Sequence, residues 1–276
     1  MSFESPAAPD VTSTEVPSRS PSGRLEVCIR RPEGAVRPAI VVFFHGGGFL
    51  HRDIAATQAI TGALSSRLNA VVITPMYATA GDAPFPAAIE DAYAAVGWAA
   101  RTARDARWDS RKLIVAGVEC GGNLAAVAAM LARDRGAPDL MAQILVRPML
   151  DPTQSSRSMH AAAPGERWPS SCNAGYRAYL PNAADRLHPY AAPACCSRVA
   201  GLPPALILTG SDDPLRDEGE AYGAKLIGAG VSTQVSRLAR IDAGPGAWTD
   251  DAWMTLTSFL APHLAARARS APHSSL

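Results

Sequence analysis

The sequence predicts an α/β fold in which a mostly parallel central sheet is flanked by helices. Short apolar segments bounded by turn residues alternate with longer segments whose apolar residues recur at helical spacing. That alternation is typical of parallel strands joined by crossover helices. With 276 residues, of which 47% are hydrophobic and 18% charged, the chain can bury a full core, and an α/β fold of this size can form one domain.

The predicted strands are short, and either rich in β-branched residues or bounded by turn residues. In chain order they cover residues 25–29, 39–44, 71–74, 112–116, 142–146 and 205–209. The predicted helices carry apolar residues three and four positions apart and cover residues 54–68, 86–103, 123–133, 215–229 and 250–266. These elements together predict one main domain over residues 23–276.

Two segments depart from the alternation of strands and helices. Residues 1–22 are rich in Ser, Pro and acidic residues and have neither a basic start nor an apolar run, which indicates a flexible tail rather than a signal peptide. Residues 151–189 are rich in Ser, Pro and Arg and contain Trp168 and Tyr176. We interpret them as a small cap insertion over the carboxyl edge of the sheet, where α/β proteins bind ligands.

Composition narrows the functions and partners to expect. The net charge of +1 gives no electrostatic reason to expect nucleic acid or an anionic membrane. The five cysteines include no Cys-x-x-Cys pair, so neither a disulfide framework nor a zinc site is indicated. No run approaches the roughly 20 apolar residues that span a bilayer. We therefore expect a cytoplasmic protein without a cofactor or metal, whose partner is a small molecule, with a homo-oligomer left open.

Residues 117–123 form the most informative segment of the chain. They read Gly-Val-Glu-Cys-Gly-Gly-Asn and lie between a predicted strand and an Ala/Leu-rich predicted helix. A Gly-x-x-x-Gly run between a strand and a helix predicts a sharp elbow whose central residue, here Glu119, stands at the apex. A carboxylate at that apex has different chemistry from the serine hydroxyl that such an elbow usually carries.

Several motifs resemble a known family. Residues 45–49 read His-Gly-Gly-Gly-Phe after an apolar strand, like the oxyanion loop of lipases and esterases. Further matches follow in an order similar to that of the bacterial hormone-sensitive-lipase family of carboxylesterases. They are Tyr77, residues 84–92, the elbow, residues 190–193, residues 201–205 and residues 213–219. The resemblance implies an α/β-hydrolase fold. It also implies oxyanion-hole groups and a triad acid, namely Gly46, Gly47, Gly48 and Cys120 for the hole and Asp213 for the acid.

The chain departs from the family pattern at two of the three triad positions. The family elbow reads Gly-Asp-Ser-Ala-Gly-Gly-Asn, whereas Val118, Glu119 and Cys120 replace its middle three residues. The family histidine is expected in a loop where this chain has Pro245 followed by Gly-Ala-Trp, and none of the six histidines falls within residues 231–253. Of the triad, only Asp213 matches by position.

Three functions follow from these departures. The first is a pseudo-hydrolase that binds a small apolar ligand in the inherited pocket. The second is an enzyme of another class, a lyase, cyclase or isomerase, in which Glu119 transfers a proton beside the retained oxyanion loop. The third is a residual or thiol-based carboxylic ester hydrolase, in which a one-residue slip makes Cys120 the nucleophile, although Val118 would then stand where the first elbow glycine belongs.

The environment of Glu119 separates the first two functions. If the N–H groups of Gly47, Gly48 and Cys120 hold its carboxylate, it plugs the oxyanion hole and its pKa is lowered. If it is desolvated in an open pocket, its pKa is raised, which favours proton transfer.

Other pocket candidates are His45, His51, Tyr77, Trp168 and Tyr176. Of these, His45 is expected to orient the glycine loop, and His51 to reach the pocket mouth.

Overall fold

A computed structural model of the chain describes residues 11–161, 167–244 and 246–269. Eight strands form one sheet, in the order β1-β2-β4-β3-β5-β6-β7-β8. Their bounds are β1 Val11–Pro17, β2 Arg24–Arg30, β3 Ala39–Phe44, β4 Ala70–Pro75, β5 Leu113–Val118, β6 Ala142–Val146, β7 Ala205–Gly210 and β8 Thr233–Leu238. A separate hairpin pairs β9 Asp242–Gly244 with β10 Ala247–Trp248.

The sheet is parallel from β4 to β8, and antiparallel only where β1 pairs with β2 and β2 with β4. This confirms the predicted mostly parallel sheet. All six predicted strands are present, with ends that differ by at most two residues. β3, β4, β5, β6 and β7 are buried along their whole length, as expected for parallel strands covered on both faces.

The flexible tail expected over residues 1–22 is wrong for part of that range. Val11–Pro17 forms β1, which pairs in register with β2 from Val11 opposite Arg30 to Pro17 opposite Arg24. Val16 is buried, whereas the other residues of β1 are exposed, so this edge strand has almost none of the apolar signal by which strands are recognised. Residues 1–10 lie outside the described residues.

Seven helices are described, and each predicted helix is among them. Their bounds are α1 Ile54–Leu68, α2 Ala87–Thr102, α3 Cys120–Arg135, α4 Arg157–Ala161, α5 Arg167–Tyr179, α6 Arg216–Gly228 and α7 Asp250–Arg269. α2, α3 and α6 pack on one face of the sheet, and α1 and α7 on the other. Within the described ranges, no helix combines the length and the apolar character needed to cross a membrane.

Candidate functional site

Glu119 stands at the apex of a strand-turn-helix elbow. β5 ends at Val118 and α3 begins at Cys120, and Glu119 between them has φ 58° and ψ −119°. The elbow is tight: a Cβ atom on Gly117 would lie 2.1 Å from the carbonyl oxygen of Gly121, and one on Gly121 would lie 2.1 Å from that of Phe44. Glycine is therefore required at both positions for the strand and the helix to approach this closely.

The sheet topology brings further polar residues to this apex. β3, β5, β6 and β7 are parallel neighbours, so their carboxyl ends lie along one edge. The glycine loop follows β3, Glu119 follows β5, Arg147 follows β6, and Asp213 lies three residues beyond the end of β7. Residues far apart in the sequence are thereby brought together at the carboxyl ends of four adjacent strands.

The carboxylate of Glu119 contacts one backbone N–H group and one guanidinium group, one through each oxygen. Its Oε2 accepts a hydrogen bond from the backbone N–H of Gly47 at 3.1 Å. Its Oε1 lies 3.5 Å from Nη2 of Arg147. Only 12% of the Glu119 side chain is exposed, and a Cβ atom on Gly46 would lie 2.8 Å from Oε2. The carboxylate thus lies directly against the glycine loop.

Arg147 is the residue that the sequence reasoning missed. Besides Glu119, its guanidinium contacts Asp213, with Nε 3.9 Å from Oδ2, and Asp242 of β9, with Nη1 2.9 Å from Oδ2. One cation therefore faces three carboxylates from three different elements. A signal was present in the sequence: a charged residue directly follows a strand that is buried along its whole length.

Burial and charge act together on the pKa of both carboxylates. Burial raises the pKa of Glu119, Arg147 and the Gly47 N–H oppose the rise, and Asp213 and Asp242 add to it. Burial also raises the pKa of Asp213, against Arg147 and the Leu215 N–H. Because both shifts are upward, desolvation and carboxylate repulsion outweigh the single guanidinium at this site.

The oxyanion-hole plug expected from the sequence is present only in part. Of the three expected N–H donors, Gly47 is the one that bonds to Glu119 in the described part of the chain. Three N–H donors around the carboxylate would lower the pKa of Glu119. The pKa is instead raised, mainly by burial. Asp213 is held by the following backbone: its Oδ1 accepts from the N–H of Leu215 at 2.9 Å.

A cavity of about 470 Å³ opens in front of Glu119. Gly46, Gly47, Gly48 and His51 line it, together with Arg147, Asp242 and a mainly apolar wall made by Phe43, Leu50, Ile60, Val118 and Trp248. Gly244 and Gly246 also line it, while Pro245 lies outside the described residues.

The segment predicted as a cap reaches this cavity. Ser171 of α5 is among the lining residues. A Cβ atom on Gly175 would lie 1.9 Å from the carbonyl oxygen of Gly48, so α5 packs directly on the glycine loop.

The remaining pocket candidates have different locations. His51 lines the cavity and is exposed. His45, Tyr77 and Tyr176 do not line it: they are buried in the core, where Tyr176 packs against Phe49 with ring centroids 5.8 Å apart. The prediction that these three side chains line the pocket was wrong. Aromatic rings next to a glycine loop can also pack beneath it and support it. The side chain of Trp168 lies outside the described residues.

His45 supports the glycine loop, as expected from the sequence. Its ring stacks on Tyr77, with centroids 4.1 Å apart, and its Nδ1 lies 2.7 Å from the carbonyl oxygen of Gly46. The Tyr77 hydroxyl donates to the His45 carbonyl oxygen at 2.7 Å. Burial lowers the pKa of His45 to about 4, so the ring is neutral at pH 7. Its role is to hold the glycine loop in position.

Cys120 points away from the cavity. The residue is fully buried, and its Sγ lies 3.5 Å from the Tyr77 hydroxyl and 3.9 Å from the His45 carbonyl oxygen. Burial raises the pKa of the thiol to about 11. Since the thiolate is the nucleophilic form, a buried thiol with this pKa is chemically inert at neutral pH.

A parallel sheet, a glycine elbow after β5 and a glycine loop after β3 together define a protein of the α/β-hydrolase fold. A family model described as alpha/beta hydrolase fold matches residues 41–241. The chain belongs to this family.

Its relatives include esterases. Esterase LipI of Mycobacterium tuberculosis is 34% identical over 236 residues, which cover 83% of this chain and 73% of LipI. An arylesterase of Saccharolobus solfataricus is 32% identical over 216 residues, covering 78% of this chain and 70% of its own length.

Among solved structures, a hyperthermophilic esterase from the archaeon Pyrobaculum calidifontis superimposes with a TM-score of 0.82 at 31% identity, covering 93% of this chain and 86% of that one. The α/β-hydrolase fold implied by the motifs is confirmed by these matches.

In the described part of the chain, no group of three or more His, Cys, Asp or Glu side chains is arranged to hold a metal ion. The acidic side chains around Arg147 are instead satisfied in part by its guanidinium.

Proposed function

We propose that this chain has lost ordinary serine-esterase chemistry and acts as a pseudo-hydrolase that binds a small apolar ligand. The observation that carries the proposal is the position of Arg147, whose guanidinium lies within 4 Å of both Glu119 and Asp213. In a serine-hydrolase triad, the base lies between the nucleophile and the acid. Within the described residues, neither carboxylate forms a hydrogen bond or an ion pair with a histidine.

Arginine cannot perform the work of that base. Its guanidinium stays protonated in proteins and offers no lone pair that could accept a proton. A Glu119 carboxylate that attacked an ester would form an anhydride, which still needs activated water for its breakdown. Loss of the nucleophile or the base of such a triad costs about 10⁶ in rate, and binding with an oxyanion hole alone leaves on the order of 10³–10⁴ over the uncatalysed reaction.

The size and walls of the cavity support a small apolar ligand. A volume of about 470 Å³ falls within the range of roughly 300–1,000 Å³ that is usual for small-molecule sites. Phe43, Leu50, Ile60 and Trp248 supply apolar surface. His51 and the glycine loop supply polar groups, and Glu119, Arg147 and Asp242 supply charged ones. We propose that residues 151–189 form a cap over this cavity, through the contact of α5 with Gly48.

A second candidate is favoured by the state of Glu119. Its carboxyl group lines the cavity, has a raised pKa and is held by one backbone N–H. A desolvated carboxyl group with a raised pKa that faces a ligand site suits general acid–base catalysis. The alternative function is therefore a lyase, cyclase or isomerase in which Glu119 transfers a single proton, with no need for a histidine.

The third possibility, an esterase based on Cys120, has little support, because the thiol is buried behind the glycine loop. A cytoplasmic location and a homo-oligomer stay predictions from the sequence.

Hydrolysis of short-chain p-nitrophenyl esters by the purified protein tests the proposal. We expect a rate no higher than that of the heat-denatured protein, with esterase LipI assayed in parallel as an active relative. Thermal shift with short-chain esters, alcohols and alkanes then tests binding, since a ligand that binds the folded state raises Tm. Ester turnover well above the denatured control would refute the loss of chemistry, and the absence of any Tm shift would refute ligand binding.

A further inference from the structure

A second cavity, of about 660 Å³, lies away from Glu119. It is formed by residues 17–19 at and after the end of β1, by one face of α2, and by Arg135, Ala137 and Pro138 at and after the end of α3. It shares no lining residue with the cavity at Glu119. Its volume is within the range of small-molecule sites.

The floor of this second cavity is made of small and apolar residues. Ala94, Gly97 and Ala100 of α2 line it, together with Pro17 and Pro138. Glu90, Ala94, Gly97 and Arg101 follow one another three or four positions apart along α2 and so share one face of the helix. The small side chains on this face leave a groove that a hydrocarbon chain can fill.

The charged residues around the groove are mostly basic. Arg19, Arg101 and Arg135 line it, against a single acid, Glu90, which gives a local charge of +2 (3 − 1) in a chain whose net charge is +1. Arg135 already has partners: its Nη2 lies 3.1 Å from Glu90 Oε1, and its guanidinium lies 4.4 Å from the centre of the Tyr93 ring.

Arg19 and Arg101 are the available cations of this groove. Among the residues that the structure describes, neither forms a hydrogen bond or an ion pair. Arg101 extends back over its own helix, because a Cβ atom on Gly97 would lie 3.1 Å from Arg101 Nη1. Its Nη1 therefore lies beside Gly97, one of the small residues that line the groove.

We propose that this groove binds an anionic amphiphile: a single carboxylate or phosphate head held by Arg19 and Arg101, with a short hydrocarbon chain along Ala94, Gly97 and Ala100. Guanidinium groups bind both kinds of head through paired charge-assisted hydrogen bonds, and the apolar floor excludes water from the chain. The proposal is independent of the function proposed for the cavity at Glu119.

Isothermal titration calorimetry with octanoate, octyl phosphate and octanol, below their micelle concentrations and at fixed ionic strength, tests it. We expect both anions to bind and octanol to bind at least about tenfold more weakly, since a hydrogen bond to a charged group is worth that factor or more. If octanoate has the lower Kd, the ligand class is a free fatty acid. If octyl phosphate has the lower Kd, it is a phosphorylated lipid fragment.

Variants locate the binding site. Arg19→Ala and Arg101→Ala should each raise the Kd of the preferred anion about tenfold. Gly97→Leu should also weaken binding, because its side chain fills the groove and displaces Arg101, whose Nη1 lies 3.1 Å from a Cβ atom at this position. Arg104→Ala removes an exposed cation of the same region that does not line the groove, and should leave Kd unchanged.

Circular dichroism and Tm should confirm that each variant is folded. The proposal is overturned if the folded wild type binds neither anion, if octanol binds as tightly as octanoate, or if Arg19→Ala and Arg101→Ala bind like the wild type. Weakening by Arg104→Ala equal to that by Arg101→Ala would also overturn it, since binding would then depend on net charge alone.

Discussion

The guanidinium of Arg147 lies 3.5 Å from the carboxylate of Glu119, Nη2 to Oε1, at the apex of the elbow. The same guanidinium also reaches Asp213 and Asp242, so the elbow residue and the acid after β7 are joined by a permanent cation. This arrangement suits the holding of charge and the shaping of a cavity. It does not suit proton transfer between the two carboxylates, because arginine does not release its proton.

We expect Arg147→Met to destabilise the protein by about 1–3 kcal/mol at pH 8, because three carboxylates lose their shared cation and two of them are largely buried. The loss should be smaller at pH 5, where protonation of the carboxyl groups relieves their repulsion. Chemical denaturation at both pH values measures the difference. Adding Glu119→Gln should recover part of the loss, since the two residues are coupled.

The matched control is Arg237→Met. Arg237 pairs with Glu220 at 2.6 Å, but 53% of its side chain is exposed, so its removal should destabilise the protein much less than the removal of Arg147. An Arg147→Met protein as stable as the wild type at pH 8 would show that the guanidinium does not stabilise the site.

The second prediction concerns Glu119→Gln. The pKa of Glu119 in the folded protein is raised, mainly by burial, above the unfolded value of roughly 4.3. The folded state therefore holds its proton to higher pH than the unfolded chain, and the contribution of Glu119 to stability falls as pH rises through the folded pKa. Glutamine carries no charge, so the Tm of Glu119→Gln relative to the wild type should rise between pH 4 and pH 8.

Glu220→Gln provides a control of opposite sign. The hydrogen bond from Arg237 lowers the pKa of Glu220, so this carboxylate stabilises the fold above its unfolded pKa and the stabilisation is lost as pH falls. Glu220→Gln should therefore lower Tm at pH 8 and have little effect at pH 4. If Glu119→Gln behaved like Glu220→Gln, the carboxylate would be a stabilising plug of the oxyanion hole, and the acid–base alternative would lose its support.

The elbow and the sheet could be predicted because their signals are local. Gly117 and Gly121 are four residues apart between an apolar strand and an Ala-rich helix, and each is required by a close backbone approach in the structure. Strands that are buried on both faces also read as apolar runs. β1 and β8 were missed because their residues are mostly exposed or half-buried, so neither apolar runs nor strict alternation marks them.

The position of Arg147 directly after an apolar strand is visible in the sequence, but its contacts with three carboxylates could not be predicted. Its role depends on β6 lying between β5 and β7 and on a long side chain reaching Asp242 in a hairpin that follows the last strand. Neither fact follows from local pattern. The placement of Tyr77 and Tyr176 in the pocket failed similarly, since the sequence does not distinguish a ring that lines a cavity from one that supports its wall.

The third prediction concerns the reactivity of Cys120. Its thiol is buried and its pKa is raised to about 11, so only about one molecule in 10⁴ carries the thiolate at pH 7. Cys195 is exposed. In the native protein we expect iodoacetamide to modify Cys195 well before Cys120, as measured by peptide mass spectrometry over time. In urea the two rates should become similar, and rapid native labelling of Cys120 would revive the thiol-based esterase.

The last prediction concerns restoration of esterase chemistry. Because the family pattern places a serine at residue 119 and a histidine near residue 245, Glu119→Ser combined with Pro245→His supplies both missing groups. Arg147 contacts Asp213, however, and would compete with a new histidine for that carboxylate. We therefore expect the triple variant that adds Arg147→Ala to hydrolyse p-nitrophenyl butyrate several-fold faster than the double variant, and each single variant to stay at background.

Circular dichroism and Tm establish that the restored variants are folded, and replacement of Ser by Ala at position 119 in the triple variant supplies the matched control without a nucleophile. A double variant as active as the triple one would mean that Arg147 does not obstruct the site. Gly244 and Gly246 line the cavity. A folded but inactive triple variant would mean that a histidine at residue 245 does not reach the apex.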